Sequence, residues 1–268
     1  MSHTMGDGLA GFTESRFTHD GITRPVFGAG SGPAVIVIHE IPGLHPGVVA
    51  FAQRVVDSGF SVRMPSLFGT PGREVSAGYA LRTLAGACVA REFTAFALDR
   101  TSPMIGWLRR LAAEAHAECG GPGVGAVGMC FTGGFALGMM VDDAMLAPVL
   151  SQPSLPFPVS PARRRAVGIS DADLARVRER AAQGACLMGL RFTADVAVPE
   201  ARFDTLRREL GDAFIAVEID SSKGNAHGIP RTAHSVLTEN FVDEPGHPTR
   251  DALDRVLAFF AERLTAAP

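Results

Sequence analysis

Short apolar runs alternate with amphipathic stretches along most of the chain. The clearest run is Ala34–Ile38, which follows a Gly-Pro pair and precedes Pro42 and Gly43. Uninterrupted apolar runs of this length are typical of strands buried on both faces of a parallel sheet. Residues 48–58 then show a helical apolar periodicity, and residues 60–64 form a second short apolar run. This order of elements predicts a strand–helix–strand unit.

The alternation continues to the end of the chain. Further strands are predicted at 124–129, 147–150, 185–190 and 213–219, and helices at 81–99, 104–119, 135–140, 171–183, 199–210 and 249–264. This alternation predicts an α/β fold, with a mostly parallel central sheet and helices on both faces. We therefore expect one domain over residues 1–268. Residues 1–20 are expected to be irregular, and 151–183 to form an elaboration over the sheet edge.

Composition narrows the function classes. The chain is 46% hydrophobic and 20% charged, and its formal net charge of −3 argues against a nucleic-acid binder, which normally presents a basic face. It has no run of the ~18–20 apolar residues that a membrane helix needs, and no secretory leader is recognisable. The four cysteines show neither a C-x-x-C pair nor zinc-ligand spacing. We expect a cytoplasmic monomer or small homo-oligomer with reduced thiols, a small-molecule partner and no metal.

Cys130 lies between a predicted strand and a predicted helix, in the segment GMCFTGG at 128–134. This is the context of a nucleophile elbow, a strained turn that exposes a reactive side chain above the sheet. The N–H of Phe131 would point to a developing oxyanion, and the helix N-terminus would favour a thiolate. A lone cysteine is more often a buried core residue, which is the competing interpretation. The glycines do not fit a dinucleotide-binding turn.

The loop after Ala34–Ile38 strengthens the catalytic interpretation. It reads His39-Glu40-Ile41, where α/β-hydrolases supply the second oxyanion N–H, here from Ile41. Glu40 is expected in the mouth of the site, although a solvated loop carboxylate is the ordinary alternative. His39 is expected to hold the loop.

An acid and a histidine follow the cysteine in the order that this fold requires, nucleophile, acid and histidine. Asp195 follows a predicted strand and is favoured over Asp212 and Asp220, which flank the last strand. His234 is favoured over His227, and both lie between the last strand and the last helix.

Together these motifs resemble the dienelactone hydrolase family over residues 34–264. The most specific parts are the elbow cysteine and the Asp-x-x-Val-Pro element at 195–199, joined by His39-Glu40-Ile41 and Ala233-His234-Ser235. The resemblance implies an ester or lactone hydrolase without a cofactor. Cys130 would be the nucleophile, His234 the base and later acid, and Asp195 its orienting partner. The family also has, at the position of Glu40, a glutamate that interacts with the resting thiol.

The chain departs from the family pattern at two positions. The family turn usually reads Gly-x-Cys-x-Gly-Gly, whereas Thr132 is inserted before the glycine pair here. The family also tends to carry an arginine four residues after the histidine, which handles an anionic substrate, and Thr238 stands there instead. Arg231 is a nearby substitute.

An apolar pocket is expected from Phe93, Phe96, Met129 and Phe131, with Arg91 or Arg82 as a partner for a substrate carboxylate. Two other functions remain open. One is a thioesterase, peptidase-like enzyme or acyltransferase on the same scaffold, because a fold does not determine a substrate. The other is a catalytically silent protein that binds a small molecule.

Overall fold

The computed structural model describes residues 9–90, 92–93 and 100–265. Within them, eight strands form one sheet: β1 (Thr13–His19), β2 (Ile22–Ala29), β3 (Ala34–Ile38), β4 (Ser61–Pro65), β5 (Val124–Met129), β6 (Met145–Ser151), β7 (Leu187–Phe192) and β8 (Phe214–Ile219). Their order across the sheet is β1-β2-β4-β3-β5-β6-β7-β8. β2 pairs antiparallel with β1 and β4, and the other neighbours are parallel.

Helices cover both faces of this sheet. Those in the described residues are α1 (Pro46–Asp57), α2 (Ala77–Val89), α3 (Pro103–Cys119), α4 (Phe135–Met139), α5 (Pro161–Arg165), α6 (Asp171–Ala182), α7 (Glu200–Leu210) and α8 (Pro248–Leu264). The apolar side chains of α1 and α8 form one core cluster with the sheet. Those of α2, α3, α4, α6 and α7 form the other. None of the described helices is long and apolar enough to span a bilayer.

The predicted α/β architecture is confirmed. The strands predicted at 34–38 and 124–129 have the predicted bounds, and the other predicted strands lie within two residues of theirs. Ser170 caps α6, because its side chain accepts a hydrogen bond from the N–H of Asp173. The helix predicted at 81–99 begins earlier, at Ala77, and α2 ends at Val89. Residues 91 and 94–99 lie outside the described residues.

One expectation about chain organisation was wrong. Residues 13–19, expected to be irregular, form the edge strand β1, in which only Phe17 is buried. An edge strand gains its stability largely from backbone pairing with its one neighbour, so its sequence carries little apolar signal. Residues 151–183 were expected to form an elaboration over the sheet edge. They connect the interior neighbours β6 and β7, and their helix α6 packs against α4 and α7.

The topology determines where a site can form. β3, β5, β6 and β7 lie side by side and are parallel, so the loops at their carboxyl ends meet at one edge of the sheet. Ligands of open α/β sheets bind at this edge. The loops after these four strands contain Glu40, Cys130, Gln152 and Asp195 respectively.

Candidate active site

The turn after β5 is strained at Cys130, whose backbone φ is 52°. A positive φ is unfavourable for a residue with a side chain and is typical of functional turns. Gly128 permits the turn, because a Cβ at that position would lie 2.3 Å from the carbonyl oxygen of Thr132. Strand and turn therefore approach too closely for any other residue. The Cys130 side chain is half-buried at the end of the strand.

The hydroxyl of Thr132 fastens this turn to the neighbouring strand. It is fully buried and accepts a hydrogen bond from the N–H of Met129 at 3.1 Å. The same oxygen lies 3.1 Å from the carbonyl oxygens of Ile38 and His39, to either of which it can donate. The residue that departs from the family turn thus joins the Cys130 turn to the loop after β3.

His234 and Asp195 form a direct pair. Nδ1 of His234 lies 2.6 Å from Oδ2 of Asp195, and the other carboxylate oxygen accepts the N–H of Ala197 at 2.9 Å. The side-chain oxygen of Asn240 accepts the N–H groups of His234 and Ser235 at 2.8 and 3.0 Å. Both the acid and the histidine loop are therefore held by hydrogen bonds. Nε2 of His234 faces the opposite way, towards Cys130 and Ser154.

The protonation of His234 depends on its two partners. Burial alone would lower its pKa, but hydrogen bonds with Asp195 and Cys130, together with charge attraction to both, raise its pKa to about 11. The imidazole is therefore protonated at neutral pH. The positive ring lies between two acidic groups, with Asp195 bonded at Nδ1 and Cys130 on the side of Nε2.

A serine completes this polar cluster. Oγ of Ser154 lies 3.6 Å from Sγ of Cys130 and 3.4 Å from Nε2 of His234. Its N–H donates to the carbonyl oxygen of Cys130 at 2.9 Å. The serine follows β6, which neighbours the strand that carries Cys130.

Glu40 was expected in the mouth of the site. It is instead buried beneath it, with 1% of its surface exposed. Four side chains donate to its carboxylate: those of His45 and Thr238 to Oε1, and those of Gln152 and Ser235 to Oε2. Burial raises the pKa of a carboxyl, but the bonds from His45, Thr238 and Ser235 outweigh it and hold the pKa of Glu40 below its usual value. Because these donors occupy both oxygens, the expected contact with the resting thiol is replaced by contacts with three loops.

His39 holds the loop after β3, as expected. Its Nε2 accepts the N–H of Leu67 at 2.9 Å, so Nδ1 carries the proton and donates to the carbonyl oxygen of Glu40 at 3.0 Å. Complete burial lowers its pKa to about 4. His39 is therefore neutral at physiological pH.

The two backbone N–H groups of the oxyanion interpretation are those of Ile41 and Phe131. Ile41 is half-buried in the turn after β3, and its N–H has no acceptor among the described residues. Phe131 is in the first turn that follows Cys130, where N–H groups have no partner within the helix. Both belong to loops at the carboxyl edge of the sheet.

The predicted substrate-binding residues are only partly at this edge. Phe93 is buried and its ring makes edge contacts with the rings of Phe68 and Phe131, at centroid distances of 5.6 Å. Met129 does not line a pocket, because the alternation of side chains along β5 directs it into the core beneath α1 and α8. Arg231 is exposed.

Other candidates can also be placed. Arg82 is exposed on α2, and Arg91 and Phe96 lie outside the described residues. The ring of His227 packs against His247 at a centroid distance of 5.5 Å, and it is His234 that contacts Asp195. Asp212 and Asp220 are exposed on either side of β8.

Sequence reasoning missed several polar residues of the site. They are His45, Gln152, Ser154 and Asn240. Gln152 and Ser154 come just after an apolar strand, and a polar residue in that position is the signal that pointed to Asp195. The signal was not recognised because the segment is rich in proline and has no regular pattern.

The dienelactone hydrolase family model matches residues 24–264. No curated protein sequence matches significantly. A provisionally named dienelactone hydrolase from Klebsiella pneumoniae subsp. pneumoniae is structurally similar, with a TM-score of 0.64, 18% identity, and coverage of 94% of this chain and 98% of that one.

Two further solved structures are similar. The dienelactone hydrolase-like promiscuous phosphotriesterase P91 from metagenomic libraries has a TM-score of 0.59, 18% identity, and coverage of 94% of this chain and 98% of its own. A dienelactone hydrolase from Anabaena variabilis has a TM-score of 0.56, 15% identity, and coverage of 95% and 99%. At these identities the structures establish the fold alone.

Proposed function

The chain belongs to the dienelactone hydrolase family, and we propose that it hydrolyses small esters or lactones through Cys130, His234 and Asp195. The observation that carries this proposal is the hydrogen bond between Asp195 and His234, whose other ring nitrogen faces a cysteine on a strained turn. A nucleophile, a base and a group that orients the base are the parts that acyl transfer requires.

The first half of the reaction transfers the acyl group to sulfur. The Cys130 thiolate attacks the substrate carbonyl carbon, and the N–H groups of Ile41 and Phe131 stabilise the oxyanion. The carbon–oxygen bond to the leaving group then breaks. His234 gives its Nε2 proton to the departing oxygen. Acylation removes the sulfur charge that helps to hold this proton, so the pKa of His234 falls as the proton is needed.

The second half returns the enzyme to its resting state. Neutral His234 takes a proton from water, and the resulting hydroxide attacks the thioester carbon. The carbon–sulfur bond breaks, which releases the acid and restores the thiolate beside a protonated imidazole. Asp195 holds the ring in one orientation throughout, because its oxygen accepts the Nδ1 proton.

The surroundings of the thiol favour an apolar acyl group. Rings of Phe68, Phe93 and Phe131 make mutual edge contacts at 5.6–5.7 Å, and Phe157 packs against Phe131 at 6.4 Å. Thr238, at the family arginine position, points into the carboxylate of Glu40 and is buried. We therefore propose an ester or enol-lactone with a small apolar or aromatic acyl part, in place of an anionic one.

The proposed compartment is the cytoplasm. All four cysteines are free thiols, as a reducing compartment requires.

A panel of activated esters and enol-lactones tests the proposal, with wild type beside Cys130→Ala and His234→Ala. His227→Ala is the matched control, because it removes a histidine of the same connecting segment that does not contact Asp195. Each site variant should lose about 10³-fold or more in kcat, whereas the control should keep its activity. Full activity in Cys130→Ala would overturn the proposal.

A further inference from the structure

The hydroxyl of Ser154 lies beside both reacting side chains but has no part in the steps above. Its Oγ is 3.6 Å from Sγ of Cys130 and 3.4 Å from Nε2 of His234, and the residue is 4% exposed. A third contact, with the carbonyl oxygen of Gln152 at 3.2 Å, completes its surroundings.

The position of Ser154 is fixed from two sides. Its own N–H donates to the carbonyl oxygen of Cys130 at 2.9 Å. Gln152, two residues before it, has a φ of 37°, which a residue with a side chain rarely adopts. That conformation is held by a backbone bond to Leu190 at 2.8 Å and a side-chain bond to Glu40 at 3.1 Å. Strain of this kind persists only where the surroundings enforce it.

The number of hydrogens decides what the hydroxyl can do. A serine has one proton to donate, and three acceptors surround it: the thiol sulfur, Nε2 of His234 and the carbonyl oxygen of Gln152. When His234 is protonated, its Nε2 cannot accept. The hydroxyl can then donate either to the Gln152 carbonyl oxygen or to the Cys130 sulfur. The sulfur of a thiolate is charged, and a charged acceptor forms the stronger hydrogen bond.

We propose that Ser154 is a second hydrogen-bond donor to the resting Cys130 thiolate, and that its hydroxyl turns to the Gln152 carbonyl when the sulfur is acylated. The assignment rests on the hydrolase function proposed above and makes Ser154 a catalytic residue, because it touches the reacting sulfur. The ionisable groups around the pair are His234, with Asp195 behind it, and Glu40 and His39 in the layer beneath.

Loss of this bond has a distinctive pH signature. Without the hydroxyl, the thiolate is less stable and protonates at higher pH, so reactivity falls on the acid side. Well above the midpoint, sulfur is ionised in both forms, and the rate is equal or higher because a more basic thiolate is a better nucleophile. A variant that merely distorts the turn would lose rate at every pH.

The experiment measures the alkylation of Cys130 by iodoacetamide from pH 4 to 10 and quantifies the labelled peptide by mass spectrometry, which separates Cys130 from the other cysteines. Ser154→Ala keeps the backbone bond to Cys130 and removes only the hydroxyl, whereas Ser154→Thr keeps the hydroxyl. Ser222→Ala, at an exposed serine, is the control. The midpoint for Ser154→Ala should rise by about one pH unit, the size expected for a charge-assisted hydrogen bond. Ser154→Thr and Ser222→Ala should keep the wild-type midpoint.

Superimposable profiles for wild type and Ser154→Ala would overturn the proposal, as would an equal shift in Ser154→Thr. The acid limb of the pH profile of kcat/KM should shift in the same direction as the alkylation midpoint. If the alkylation midpoint moves but wild type hydrolyses no ester or lactone, the hydrolase function fails while the role of Ser154 at the thiolate stands.

Discussion

The carboxylate of Glu40 accepts a 2.7 Å hydrogen bond from the hydroxyl of Ser235, the residue directly after His234. Through Gln152 the same carboxylate holds the loop that carries Ser154. Glu40 therefore joins the loops after β3 and β6 to the histidine loop, and it does so from beneath the site. We interpret it as a positioning residue.

Glu40→Gln should disturb both stability and catalysis. An amide presents N–H groups to donors that need an acceptor, so the free energy of unfolding should fall by about 3 kcal/mol. The kcat should fall more than KM rises, because the histidine loop loses its anchor. Denaturant unfolding and steady-state kinetics measure these effects, with the exposed Glu114→Gln on α3 as the matched control.

The Cys130 alkylation profile separates this positioning role from a direct contact with the thiol. In Glu40→Gln its midpoint should stay close to that of wild type. A midpoint shift as large as that expected for Ser154→Ala would mean that Glu40 acts on the sulfur itself.

His39 should make the fold sensitive to acid. Its pKa is about 4 in the folded chain, against an ordinary value of 6.5, so the unfolded chain takes up this proton first. The contribution of His39 to stability is complete above pH 6.5 and is lost as the pH falls towards 4, by about 3 kcal/mol in all. In His39→Gln this part of the pH dependence should vanish. Denaturant unfolding at pH 4 to 7.5 measures this dependence. If the free energy of unfolding changed equally with pH in wild type and His39→Gln, the assignment would be refuted.

The hydroxyl of Thr132 should contribute to the stability of the fold. Thr132→Val keeps the shape but leaves the N–H of Met129 without its acceptor, which should cost about 2 kcal/mol of stability. Thr132→Ser should recover most of the loss. Thermal unfolding of both variants tests this, and equal stability of Thr132→Val and wild type would show that the link to β3 is dispensable.

Arg202 should stabilise the segment that carries Ser154. The residue is 1% exposed, and its guanidinium donates to the carbonyl oxygens of Pro153, Pro156, Arg163 and Ala166. Burial lowers its pKa to about 10, so it stays charged at neutral pH. Arg202→Met leaves these carbonyl oxygens without their hydrogen-bond donor. It should lower the free energy of unfolding by about 3 kcal/mol, and kcat should fall as well. The exposed Arg208→Met should change stability by less than about 0.5 kcal/mol, and the same small change in Arg202→Met would contradict this role.

The sequence predicted those parts of the molecule that depend on local apolar pattern. β3 and β5 are uninterrupted apolar runs, and the elbow at Cys130 is recognisable from its glycines and its place between strand and helix. The pairing of Asp195 with His234 followed from their order along the chain. The edge strand β1 was not predicted, because it buries almost no side chain and therefore has no apolar pattern.

Buried polar networks were harder to predict than the catalytic order. Glu40 is as hydrophilic in sequence as any surface glutamate, and only the convergence of donors from distant loops makes its burial favourable. Ser154 lies 24 residues from Cys130 along the chain, in a segment without periodicity. Contacts of this kind depend on which loops the sheet order brings together.

The most direct test of the account is to find where the acyl group is carried. Wild type and His234→Ala are mixed with an activated aryl ester, quenched in acid within the first turnovers, and digested for peptide mass spectrometry. We expect the acyl mass on the peptide that contains Cys130, with more of it in His234→Ala because deacylation needs the base, and none in Cys130→Ala. An acyl group on Ser154 or on another residue, or turnover without any acyl adduct in His234→Ala, would contradict a cysteine nucleophile.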